Sequence, residues 1–162
     1  MPTLELTTKI KSTMAICFDL STSIDLHTIS TNGTHEKAVA GTTKGLIGLD
    51  ETVTWQATHF GIKQQLTSKI TAFDRPTYFR DEQMKGAFKS IYHEHLFEQR
   101  GETVIMKDIF YFESPCGILG RLFNWLILTN YMKRFLLARN KVIKDYAESD
   151  KWQNILKEAS KF

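Results

Sequence analysis

Over residues 52–113, apolar and polar residues alternate with a period of two, and only short polar or glycine-bearing turns break the pattern. A period of two means extended strands with one face turned in and the other out. The breaks fall at Gly61, Asp74-Arg75-Pro76, Lys85-Gly86 and Arg100-Gly101. Loops this short join antiparallel neighbours, because a parallel crossover needs a dozen or more residues. The expected strands are residues 52–60, 62–73, 77–84, 88–98 and 103–113, an antiparallel meander closed by Ser114-Pro115.

The flanking segments complete the fold class. Leu4, Leu6, Thr8 and Ile10 alternate with polar residues and predict a first strand. Ser12 offers an N-cap for a helix over residues 13–20, where Met14, Cys17 and Phe18 have helical spacing. Ser21-Thr22-Ser23 restart a second short helix with Ile24, Leu26 and Ile29, ended by Asn32-Gly33. Residues 35–40 predict another strand. Residues 41–50 are rich in Gly and Thr and read as a loop with a short extended piece. Within it, Gly45-Leu46-Ile47-Gly48 is too short and too apolar to cradle a phosphate, and is placed at a cavity rim. Over residues 118–148, Leu119, Leu122, Phe123, Leu126, Ile127, Tyr131, Phe135 and Leu136 recur at three-and-four spacing, which predicts one long helix. Residues 150–162 form a second amphipathic segment with Trp152, Ile155, Leu156 and Ala159.

The order is strand, two short helices, six antiparallel strands, long C-terminal helix. This is an α+β pattern of about seven strands, with a curved sheet wrapped around the long helix. No repeat or linker divides the chain, so one domain is expected over residues 1–150, with a short extension over 151–162. A curved sheet gripping one helix leaves a gap between them, which is a natural ligand cavity.

The aromatic content bears on that gap. Eleven Phe, five Tyr and three Trp are many for 162 residues. Trp55, Phe79, Phe88, Phe97, Phe110, Phe112, Phe123 and Phe135 fall on inward faces of the sheet and long helix, where they could line a cavity or fill a dense core.

Charge and targeting features are quieter. The net charge of +3 is too small to imply nucleic acid. From Gly120 onward nine basic residues face four acidic ones, so that region carries +5 and the remainder −2. This reads as a solvated basic helix face ahead of an anionic-membrane surface. Cys17 lies in the core and Cys116 in a turn, with no metal-ligand spacing, and both are expected reduced. The start, Met1 to Leu6, has neither a basic cluster nor an apolar run, so no signal peptide is expected. The most apolar stretch, residues 118–137, is interrupted by Arg121, Asn124, Lys133 and Arg134 and reads as a buried helix, not a membrane span. A cytoplasmic protein is expected, and a homodimer is allowed for.

Alternation places a polar stripe inside. Along residues 91–98, Ile91, His93, His95 and Phe97 oppose a set with two glutamates, so both histidines should point inward. In the last strand Val104, Met106, Asp108, Phe110 and Phe112 share a face opposite Lys107. Counting back from a Gln99–Glu102 turn pairs Phe97 with Val104, His95 with Met106, and His93 with Asp108, close enough to hydrogen-bond. Asp81 and Gln83 share a face with Phe79, and His59 enters beside Trp55. The candidate ligand-binding set is Trp55, His59, Phe79, Asp81, Gln83, His93, His95, Met106, Asp108, Phe110 and Phe123.

Three readings of the stripe stand side by side. The polar groups could be satisfied pairs that set strand register. They could orient a ligand in an apolar pocket. Or His93 could act as an acid–base group partnered by Asp108, with Asp81 as a further catalytic candidate. His93-x-His95 puts two metal-ligand side chains on one face, but the sequence fixes no third, so no metal and no cofactor are expected. No nucleophile elbow, Walker loop or dinucleotide fingerprint is present.

Four runs resemble bacterial members of the START/SRPBCC superfamily: Val53-Thr54-Trp55-Gln56-Ala57-Thr58-His59-Phe60-Gly61-Ile62, Gly86-Ala87-Phe88, His93-Glu94-His95-Leu96-Phe97-Glu98 and Ser114-Pro115-Cys116-Gly117-Ile118-Leu119-Gly120. The resemblance covers roughly residues 3 to 148 and is strongest to the cyclase/dehydrase-like, ligand-binding proteins of that group. It implies a helix-grip fold with a deep hydrophobic cavity between sheet and C-terminal helix. The superfamily includes lipid- and sterol-transfer domains, polyketide aromatase/cyclases, pollen-allergen-like proteins and a heat-shock co-chaperone group. It therefore implies no single reaction. Asp81, His93 and Asp108 match no established catalytic motif of the group. Binding or transfer of a small hydrophobic ligand (lipid, polyketide-like or aromatic) is the first functional expectation. A cyclase/dehydrase-type enzyme using His93 and Asp108 is the second. A protein-interaction module using the basic helix and the Trp152 segment is the third.

Overall fold

A computed structural model describes residues 3–115 and 127–161. The elements are β1 (Thr3–Ile10), α1 (Met14–Thr22), α2 (Ile24–Ser30), β2 (Lys37–Gly41), β3 (Thr52–His59), β4 (Ile62–Asp74), β5 (Tyr78–Lys85), β6 (Ser90–Arg100), β7 (Thr103–Glu113), α3 (Thr129–Ala147) and α4 (Lys151–Ala159). All seven strands form one antiparallel sheet in the order β1-β7-β6-β5-β4-β3-β2. The five meander strands fall where the alternation places them. The first strand joins the far edge beside β7, so α1 and α2 carry the chain across to the opposite edge at β2.

Register shifts between Ala38 and Ala40, between Thr67 and Ser68, and between Ile70 and Ala72 interrupt the ladders. Each extra residue bends its strand and sharpens the local twist, which curves the β4–β2 half of the sheet.

The β6–β7 hairpin corrects the expected register. The loop is Gly101-Glu102, closed by Arg100 opposite Thr103, with Gly101 at φ 61°. A two-residue hairpin needs a positive φ at its first loop position, and glycine supplies it without strain. Phe97 therefore faces Met106, His95 faces Asp108 and His93 faces Phe110. The shift is two residues, an even number, so every side chain stays on its expected face.

The helix caps also shift by one. Thr13, not Ser12, caps α1, its hydroxyl accepting the Ile16 N–H at 3.4 Å. Ser23 ends α1 and begins α2. Its extended backbone kinks the chain, and its buried hydroxyl accepts the Leu26 N–H at 3.2 Å. Ser23→Ala is expected to cost about 1 kcal/mol of folding free energy, read as a lower urea midpoint at unchanged slope. The loop over residues 41–50 packs against this kink. Gly45 C=O accepts the Ile24 N–H at 2.9 Å, and Ser23 bridges Leu46.

Two apolar clusters hold the layers together. In the first, Phe18 meets Phe73, Phe79 and Phe97 at ring-centroid distances of 5.1, 5.3 and 5.5 Å. Ile143, Ala147 and Ile155 join the same cluster, so α4 turns its apolar face onto the core beside α1, with Trp152 packed against it. The second cluster sets Phe110, Phe112 and Leu4 of the sheet against Leu128 and Leu136. Of the expected helix over residues 118–148, the part from residue 127 on is described, with α3 beginning at Thr129. The first part of the expected helix, with Phe123 and the Cys116 turn, lies outside the described residues.

Candidate functional site

Between the sheet and α3 lies a cavity of about 790 Å³, within the range of small-molecule pockets. Trp55, Phe79, Phe88, Phe110, Tyr131 and Phe135 supply its aromatic walls, and Phe60 in the β3–β4 turn and Ile62 at the start of β4, both largely exposed, also line it. Along β4 the lining residues are Ile62, Gln64, Leu66, Ser68 and Ile70, one face of a strand read at period two. Ile47 lines it from the 41–50 loop. Phe97 and Phe112 are buried without lining it, so the aromatic residues divide between cavity wall and solid core.

A polar centre interrupts the apolar wall. Asp108 on β7 is fully buried at 0% exposure. One of its oxygens lies 2.9 Å from His93 Nε2 and 3.1 Å from His95 Nδ1. The first contact is a hydrogen bond, whereas the second is close but not aligned as one. Its other oxygen accepts from Asn140 Nδ2 at 2.6 Å. Arg139 Nη1 stands 3.6 Å from the carboxylate, and Arg139 Nη2 donates to Ser21 C=O at 3.3 Å. On the cavity side, Asp81 Oδ2 is 3.0 Å from His95 Nε2 and 3.9 Å from His93 Nδ1.

These contacts set the charge states. Burial alone would raise the Asp108 carboxyl, but His93 and His95 outweigh it and hold the group well below the usual carboxylate range. Asp81 is lowered for the same reasons. Burial, reinforced by the neighbouring His95, pushes His93 down to about 4 against the pull of both carboxylates. His93 is thus a neutral imidazole at neutral pH, and the carboxylates are ionised. Cys17 offers no nucleophile: burial, helped by Glu148, pushes its thiol up to about 12.

A second polar group lies on the far side of the cavity. The His27 ring stacks on Trp55 at 4.2 Å, and His27 Nε2 is 3.5 Å from Glu36 Oε2. Both atoms are buried without a hydrogen-bond partner among the described residues, and both residues line the cavity. Burial would raise Glu36, but His27 and His59 hold it below its ordinary value. His59 Nδ1 meets the Tyr131 hydroxyl at 2.6 Å, and burial lowers the His59 pKa despite the pull of Glu36.

No family model and no curated protein matches the chain. Solved structures do. TTHA0849 from Thermus thermophilus superposes with a TM-score of 0.74 at 16% identity, covering 90% of this chain and 97% of that one. A START superfamily protein from Mycobacterium smegmatis gives a TM-score of 0.68 at 7% identity, covering 90% and 97%. Ginseng major latex-like protein 151 from Panax ginseng gives 0.63 at 18% identity, covering 91% and 98%. The chain has the START-like helix-grip fold. At these identities the likeness is one of fold, and the residues of the site are this chain's own.

Within the helix grip, the site residues expected from sequence separate into two groups. Trp55, His59, Phe79, Asp81, His93, His95 and Phe110 line the cavity. Asp108 and Met106 do not. Both are fully buried behind it, Asp108 serving as the partner of the histidines. Gln83 also stands off the lining, and its Nε2 donates to Phe88 C=O at 2.7 Å in the β5–β6 turn. Phe123 lies outside the described residues.

Sequence reasoning misses Arg139, Asn140, Glu36, His27 and Tyr131 as site residues. For the helix pair a signal exists. Leu136, Arg139, Asn140, Ile143 and Ala147 follow three-and-four spacing, so the apolar stripe runs through the two polar positions and carries them inward.

Proposed function

We propose that the chain binds a small, largely apolar molecule in the cavity between the sheet and α3. The supporting observation is the cavity itself, aromatic-walled and large enough for a drug-sized or lipid-like molecule. Glu36 Oε2 and His27 Nε2, buried 3.5 Å apart and each without a hydrogen-bond partner among the described residues, provide an acceptor and an imidazole nitrogen for a polar group on that molecule. Lipid, polyketide-like and aromatic molecules all meet this description. No described helix is long and apolar enough to cross a membrane.

Titration of the purified protein with anilinonaphthalene sulfonate, an apolar fluorescent probe, is expected to show saturable binding at one site. Native mass spectrometry of freshly purified protein is expected to show a retained small molecule that competes with the probe. Non-saturable probe binding together with a ligand-free mass would overturn the reading.

A catalytic reading rests on one specific observation. His93 is neutral, lines the cavity and is held from behind by Asp108, the arrangement of a base and its orienting group. In that reading a molecule bound in the cavity is turned over, and His93→Ala abolishes turnover while leaving probe binding in place. Unchanged turnover in His93→Ala would sink it.

A further inference from the structure

Asp81, His93 and His95 form a donor set that the ligand-binding reading does not use. Asp81 on β5 stands directly opposite His93 on β6, and His95 lies two residues further along the same face. Donor atoms of the three residues all lie within 4.8 Å of one another. Asp81 Oδ2 is 3.0 Å from His95 Nε2 and 3.9 Å from His93 Nδ1. Two donors each about 2.1 Å from one ion, at angles between square and tetrahedral, are roughly 3.0–3.4 Å apart, so the Asp81–His95 pair already has that spacing and the Asp81–His93 pair would close by about 0.5 Å on binding.

A second, independent feature lies behind the rings. The nitrogens facing away from Asp81, His93 Nε2 and His95 Nδ1, converge on a single oxygen of Asp108 at 2.9 and 3.1 Å. Asn140 anchors the other oxygen from the helix. A ligating histidine characteristically gives its far N–H to a buried carboxylate, which selects the tautomer and aims the near lone pair. Here Asp108 does this for His93 and stands 3.1 Å from the far nitrogen of His95.

His95 Nε2 is hydrogen-bonded to Asp81 Oδ2 at 3.0 Å, while its Nδ1 has no hydrogen-bond partner among the described residues although it stands 3.1 Å from Asp108. A cation held by Asp81 Oδ2, His93 Nδ1 and His95 Nε2 leaves the far nitrogens of both rings facing the Asp108 carboxylate.

We propose that Asp81, His93 and His95 bind a divalent first-row transition metal, zinc or a cation of like preference, with a coordination position open to the cavity. Two imidazoles and one carboxylate with an open place form the donor set of catalytic zinc and of non-haem ferrous sites. All three residues line the cavity, and Asp81 keeps 27% of its side chain exposed, so the remaining position is reached from the ligand side. An oxygen of a cavity-bound molecule, or water, completes the shell. The metal would fix a carbonyl or carboxylate group of that molecule or polarise it.

The test uses the full chain without a polyhistidine tag, dialysed against a chelator and titrated with cobalt(II) in visible absorption and with zinc in calorimetry. One equivalent is expected to bind, with intense cobalt bands if four-coordinate and weak ones if six-coordinate. Zinc is expected to shift the imidazole nitrogen NMR signals of two histidines. Asp81→Asn, a near-isosteric change, is expected to weaken binding at least about a hundredfold, and Asp108→Asn about 10–100-fold through loss of ring orientation. His35→Ala, which removes an exposed histidine, is expected to leave it unchanged. Circular dichroism accompanies each variant, and the wild-type stoichiometry and histidine signals stand without any variant. Absence of saturable binding by the wild type, or equal affinity in folded Asp81→Asn, would overturn the proposal. Neither result touches the apolar-probe binding.

Discussion

Asp108→Ala is expected to destabilise the fold by about 3–5 kcal/mol, more than any other single polar change in the site. The carboxylate is fully buried and serves four neighbours on two elements: His93 and His95 on β6, and Arg139 and Asn140 on α3. Its removal leaves the His93 and Asn140 donors without an acceptor at that point. It also takes the near carboxylate from Arg139, which is only 5% exposed. A buried cation left with the more distant Asp81 carboxylate, not the loss of one attractive pair, sets the magnitude. The comparison is Asp145→Ala, which removes an exposed partner of Lys141 one helical turn away and is expected to change stability by less than about 0.5 kcal/mol. Both are read from urea unfolding, as a shift in midpoint at constant slope. A loss below about 1 kcal/mol for Asp108→Ala would mean that the helix and sheet are not tied through this carboxylate.

The same carboxylate shows how far the sequence can be read. Alternation along β7 sets Asp108 opposite to Lys107 and therefore inward, and alternation along β6 does the same for His93 and His95. These are period-two statements and survive a slip of two residues. The pairing itself depends on where the hairpin turns. The run Gln99-Arg100-Gly101-Glu102 allows more than one closing pair, and the positive φ of Gly101 selects Arg100 with Thr103. His93 still reaches Asp108, diagonally instead of directly.

The helix contributes a different kind of error. Arg139 and Asn140 lie in a region of net positive charge, and residue type alone assigns them to the solvated face. Their spacing from Leu136 and Ile143 says inward, and the buried carboxylate on the sheet is what makes an inward arginine tolerable. That partner sits on a distant strand, and no local pattern announces it. The contact between His59 and Tyr131 is of the same kind, joining β3 to α3 across the cavity. Alternation puts Asp81 on the inward face, but its convergence with the two histidines requires the β5–β6 register, which sets it opposite His93. Whether inward aromatics surround space or fill it is likewise not legible, since cavity wall and core present the same alternation.

Ser68→Phe separates those two possibilities and carries the second large effect. Ser68 is buried in the middle of β4, between Leu66 and Ile70 on the face that lines the cavity. A phenyl ring at this position projects into space that a bound molecule would occupy. Displacing three or four methylene-sized groups of a ligand forfeits about 0.8 kcal/mol each, which sums to about 2.4–3.2 kcal/mol, or roughly a hundredfold in affinity. Affinity for anilinonaphthalene sulfonate is expected to fall by that factor. Folding stability is expected to hold or rise by about 0.5–2 kcal/mol, because the ring fills apolar space within the fold. A dense core gives the opposite pair of results. There the ring has no room, overpacking costs about 1–3 kcal/mol, and probe binding, being superficial, barely changes. The two measurements move in opposite directions under the two descriptions of the same residues, so stability and affinity taken together decide between a binding site and a core.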